Sequence, residues 1–160
     1  MKSATRRVLT VGAITALTAG IGVLGAGSAN AATTNSVGAI CGSGYQWVDT
    51  YAVSYTSASG SRIQLGQAIL AYNPSNGYNC AYTFKQNIAT QNNFYGYPTW
   101  TGIKLLSEGS TWTTDYGNYS YYAGPVYRYG KDRAVKLVAD VGLYKNESWA
   151  HLATGWVHGG

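Results

Sequence analysis

The amino-acid sequence predicts an all-β fold: a small single-domain sandwich or barrel of about seven or eight short strands, fastened by one disulfide. Three observations predict it. All fifteen Tyr, all five Trp and both Phe lie beyond residue 40. They sit in Thr-bearing segments punctuated by Gly and Asn, as strands and turns are. Alternating segments recur at intervals of about ten residues, the rhythm of a sandwich or barrel. Helix formers at helical spacing are few.

Residues 45–55 contain the first strand, with Trp47, Asp49 and Tyr51 on one face and Val48 on the other. The Ser- and Gly-rich residues 57–61 turn the chain. Over residues 62–72, Ile63 and Leu65 are in phase, whereas Ala68, Leu70 and Tyr72 take the opposite phase. A period of two that slips by one residue predicts a bulge at Gly66-Gln67. Asn73-Pro74-Ser75-Asn76-Gly77 then forms a turn, since Pro presets φ and Asn-Gly accepts the left-handed conformation. Tyr78, Cys80, Tyr82 and Phe84 alternate with Asn79, Ala81, Thr83 and Lys85. This hairpin places Cys80 on the face of the large aromatics, expected to be the core side.

Residues 86–98 are polar and read as a long loop. The next strand, 99–108, carries Trp100 on one face and Thr101, Ile103 and Leu105 on the other. Two short strands at 111–114 and 119–122 follow, separated by Asp115-Tyr116-Gly117-Asn118. Another spans 126–129, where Pro125 argues for an edge, a bulge or a strand end. After a turn at Lys131-Asp132, residues 134–143 set Val135, Leu137, Val141 and Leu143 against Lys136, Val138 and Asp140. A last strand lies within residues 149–156.

The first 31 residues are expected to be a secretory signal peptide, and residues 32–160 a single all-β domain. Lys2, Arg6 and Arg7 form a positive start, residues 8–24 are uncharged and largely apolar, and Ser28-Ala29-Asn30-Ala31 supplies small residues for cleavage. The destination is therefore extracellular. The whole chain carries +5, but without the leader eight Lys and Arg face six Asp and Glu, leaving about +2. With no basic stripe, nucleic acid is not an expected partner, and no further apolar run is long enough to hold a membrane after cleavage.

Cys41 and Cys80 are the two cysteines. In an oxidising compartment they are expected to pair, closing a loop of about 40 residues and contributing roughly 4 kcal/mol. Two Cys remote from His151 and His158 make a poor metal set, and no cofactor motif appears. No catalytic residues are singled out, and the chain reads as non-enzymatic. Six scattered carboxylates display no acid–base pair, and neither His lies in a triad motif. What remains is aromatic. Tyr119 and Tyr121, and Tyr127 and Tyr129, have alternate spacing that puts each pair on one face of a strand. The same rings can fill the core of a domain short of Leu and Ile with their hydroxyls at the rim, whereas an exposed row of them can stack on sugars or adhere to a polymer.

Three stretches carry a family resemblance: Cys41-Gly42-Ser43-Gly44-Tyr45, Tyr72-Asn73-Pro74-Ser75-Asn76-Gly77-Tyr78-Asn79-Cys80 and Tyr122-Ala123-Gly124-Pro125-Val126-Tyr127. They resemble spore-associated protein A, a family of small exported proteins of filamentous actinobacteria. The resemblance implies a place at the spore or cell surface and matches both cysteines. The expected partner is cell-wall or spore-wall polymer, or another surface protein. Two alternatives stand beside this reading. One is a secreted inhibitor presenting the loop 86–98 to a hydrolase; the other is an unrecognised hydrolase using His151 or His158.

Overall fold

Each strand has one set of side chains to bury, and the sheet meets that demand by rolling around them. The computed structural model describes residues 37–87, 95–143 and 149–157. The expected leader, residues 88–94 of the polar loop and His158 lie outside the described residues. Eight strands form: β1 (Gln46–Thr56), β2 (Arg62–Asn73), β3 (Tyr78–Lys85), β4 (Thr99–Ser107), β5 (Thr113–Tyr119), β6 (Tyr122–Tyr129), β7 (Val135–Gly142) and β8 (Trp149–Ala153). Their order is β5-β4-β7-β8-β1-β2-β3-β6, with every ladder antiparallel.

The sheet curls into a nearly closed barrel. Its terminal strands, β5 and β6, meet at a seam where no ladder joins them among the described residues. Side chains bridge the gap instead. The Gly124 N–H donates to Asp115 Oδ2 at 2.6 Å. The wholly buried Lys85 donates from Nζ to the carbonyls of Tyr97 and Tyr119. Desolvation lowers its pKa to about 8. The interior is aliphatic, built around Leu65, Leu70, Ile103, Leu105, Leu137 and Val141 with small Ala residues between them.

A second apolar cluster lies on the outside. Ile69 and Ala71 of β2 and Cys80 and Tyr82 of β3 are covered by a short helical segment over residues 37–41. The Cys41–Cys80 disulfide fastens that segment, with Cα atoms 6.1 Å apart. The pairing expected from the sequence is present, but its face differs from the expected core side. β3 sends Ala81, Thr83 and Lys85 inward and Cys80 and Tyr82 outward. An eight-strand interior is just wide enough for aliphatic side chains, so these larger rings find cover outside.

The slip in β2 appears one residue from its expected place. Val53 and Ser54 pair with Gly66 and Gln64, which leaves Leu65 as the extra residue. The larger departure is β5. Asp115-Tyr116-Gly117-Asn118 is not a turn between two short strands but the middle of one strand paired to β4. Asp115 is held there by Tyr119 Oη–H, 2.5 Å from its Oδ1, and by the bond from Gly124. Tertiary partners thus override a turn-like composition. The chain reverses at Ser120-Tyr121 instead. Pro125 lies in β6, the last strand in the order, beside a register shift against β3 and after a cis Gly124–Pro125 bond.

Candidate functional site

The four tyrosines singled out in the sequence separate into two places. Tyr127 and Tyr129 lie on the outer face of β6, opposite Cys80 and Tyr78 of β3. Tyr129 meets Tyr78 edge-on with ring centroids 5.6 Å apart, and Tyr127 tilts against Tyr45 at 5.7 Å. The Tyr127 hydroxyl donates to the Cys41 carbonyl at 3.1 Å, which ties this row to the disulfide. Burial raises the pKa of Tyr127, and burial is also the largest cause of the rise at Tyr45. Both phenols therefore remain neutral at ordinary pH. Tyr78, Tyr127 and Tyr129 remain substantially exposed on a rigid backbone.

Tyr119 and Tyr121 do not share a strand. Tyr119 ends β5, packs partly against the interior and donates to Asp115. Tyr121 stands in the turn, 51 % exposed, edge-on to Tyr95 at 5.2 Å, and Tyr95 in turn leans on Phe84. The turn nevertheless brings both tyrosines around one shallow hollow of about 290 Å³, with Ser120, Tyr122 and Gly124.

Sequence reasoning missed a second surface, on the outside of β5, β4, β7 and β8. Trp100, Gly102 and Lys104 alternate along β4, a visible signal. Their neighbours on β5 and β7 depend on a strand order the sequence does not state. The Tyr116 ring crosses Gly102 so closely that a Cβ there would lie 2.0 Å from ring carbons. Its hydroxyl donates to Asp140 Oδ2 at 3.0 Å, and Asp140 Oδ1 lies 2.6 Å from His151 Nδ1. Burial first, then the Asp140 charge and hydrogen bond, push the Tyr116 pKa upward. Lys104 Nζ lies over the same ring, 5.3 Å from its centroid. Trp100, Lys104, Thr114 and Tyr116 line a hollow of about 340 Å³.

Ser54 is the cross-strand neighbour of His151, so Ser, His and Asp share a row across three strands. Among the described residues no hydrogen bond joins Ser54 to His151. Among the described residues there is no cluster of three or more His, Cys, Asp or Glu that could hold a metal ion.

Comparison with known proteins adds one relative. The chain is similar to spore-associated protein A of Streptomyces coelicolor, with 32 % identity over 120 residues, covering 74 % of this chain and 68 % of the relative. No protein-family profile matches the chain, and no solved structure matches it.

Proposed function

This chain belongs to the spore-associated protein A family, and from that premise we propose that it is a secreted, non-enzymatic protein of the spore or cell surface that adheres to wall polymer. The observation that carries the reading is the tyrosine row on β3 and β6. Tyr78, Tyr127 and Tyr129 present half-exposed rings beside Tyr45, on a face that the Cys41–Cys80 disulfide and the Tyr127 hydrogen bond hold still. A ring already ordered before contact loses little entropy when it meets a polymer. Each face removes apolar area from water while the phenol oxygen keeps its hydrogen bonds at the rim. Weak contacts repeated along a polymer then add through effective concentration.

The test is sedimentation of the purified protein with washed spore walls, vegetative cell walls, chitin and cellulose. Selective, saturable sedimentation that falls several-fold in Tyr127→Ala and Tyr129→Ala supports adhesion through this row. Sedimentation of both variants equal to that of the wild type moves the contact elsewhere on the surface.

A further inference from the structure

We propose that the outer face of β4, β7 and β8 holds a second, separate site that binds a β-linked oligosaccharide of glucose-configured pyranose rings, seated across Trp100 and Trp149. The argument begins with a glycine. Trp149 pairs with Gly142 across β7 and β8. On its other side Gly142 abuts Trp100: a Cβ added to it would lie 3.0 Å from the Trp100 carbonyl oxygen and 3.3 Å from the Trp100 Cβ. Two tryptophans therefore flank a residue with no side chain, on one face of one sheet. Their backbones are two strand spacings apart, about 9.5 Å, and the Trp100 ring leans on Tyr116 with centroids 5.6 Å apart, so a ligand that reaches both indoles is an oligosaccharide rather than a single sugar. Trp100 is 49 % exposed and Trp149 is 61 % exposed.

All five tryptophans of the chain are exposed; what sets Trp100 and Trp149 apart is their place on either side of one glycine, beside a polar row. A polar row runs parallel to this pair, formed by Tyr116, Asp140 and His151 in hydrogen-bonded succession. Lys104 stands at its border, its Nζ over the Tyr116 ring. A platform of indoles edged by a fixed carboxylate, an imidazole and an ammonium group combines flat apolar stacking with directional hydrogen bonds. A pyranose ring whose hydroxyls are all equatorial offers the matching surface: axial C–H groups on its faces and hydroxyls around its rim. Each indole offers one flat apolar face to one pyranose ring, so two indoles favour a chain over a single sugar. The carboxylate already accepts from Tyr116 and pairs with His151, which suits a neutral sugar better than a cationic one.

The site stands on its own geometry and does not rest on adhesion through the tyrosine row. Tyr116 over Gly102 also supports the β4–β5 pairing, as an aromatic ring covering a glycine does, so the decisive variants leave Tyr116 in place. Cellohexaose and chitohexaose are titrated calorimetrically into the full chain, into Trp100→Ala, Trp149→Ala and Lys104→Met, and into Tyr129→Ala as a control. Circular dichroism checks that each variant folds. We expect saturable binding of at least one hexasaccharide, weakened tenfold or more by either Trp substitution, a few-fold by Lys104→Met, and unchanged by Tyr129→Ala. Binding of neither sugar, or binding by folded Trp100→Ala and Trp149→Ala as tight as by the wild type, overturns the inference. Wall sedimentation lost in Tyr129→Ala would still stand in that case.

Discussion

Lys85 is the cationic residue whose chemistry burial in the barrel alters. Its ammonium lies inside the end of the barrel against carbonyls of Tyr97 and Tyr119, and burial lowers its pKa to about 8 from 10.5. Between those values the unfolded chain holds one more proton than the native one. Stability therefore rises with pH across that interval, by up to about 1.4 kcal/mol per pH unit, and is flat below it. Tyrosines act in the opposite sense. Burial raises Tyr82 to about 12, so ionisation of the unfolded chain near pH 10 favours unfolding. Urea midpoints should climb from pH 8 to about 10 and then fall. In Lys85→Met the climb should vanish, and a climb that persists would contradict the assignment. Gly102 makes a second residue-scale case. Gly102→Ala drives a methyl into the Tyr116 ring and should cost about 1–3 kcal/mol. In a Tyr116→Ala background that cost should nearly disappear, a coupling that a double-mutant cycle in urea measures.

Among the elements, the β2–β3 hairpin was the most legible in the sequence. Asn73-Pro74-Ser75-Asn76-Gly77 announces its turn, and Gly77 adopts the positive φ of 75° that the turn requires. The alternation around Cys80 also predicts correctly which residues share a face. What it cannot say is which face turns inward, because aromatic residues fill cores in some β domains and cover outer surfaces in others. Here residues 37–41 provide the outside cover. β5 was illegible for another reason: Asp115 and Gly117 belong in a strand only because of Tyr119 and Gly124, partners supplied by the seam. The cover makes the disulfide testable. Its cysteines are 39 residues apart, so opening it should cost roughly 4 kcal/mol through chain entropy. Cys80→Ala should lower the urea midpoint accordingly and release the helical segment from Tyr82. Unchanged amide exchange around Tyr82 would show that the segment stays docked without the bond.

At the scale of the molecule, strand rhythm and composition disclosed an all-β domain before any topology was visible. The β5-β4-β7-β8-β1-β2-β3-β6 order was not disclosed, because non-local pairing leaves no local mark. That order is why the candidate surfaces were only half legible. Tyr127 and Tyr129 lie two residues apart on one strand, so spacing alone puts them on one face, while the fold decides that this face is exposed. Trp100 and Trp149 become neighbours only when β7 is laid between β4 and β8. Because the interior is packed, the proposed adhesion falls to the outside of the barrel, where the Tyr127 row is tied to the disulfide.

The central claim is that this surface holds the protein on wall polymer through the tyrosines of β3 and β6. The most direct measurement is the fraction of wild-type and Tyr129→Ala protein sedimenting with washed spore walls across a range of wall concentrations. The account predicts saturable binding by the wild type and several-fold weaker binding by a folded Tyr129→Ala. Wild-type protein remaining in the supernatant at every wall concentration would contradict it.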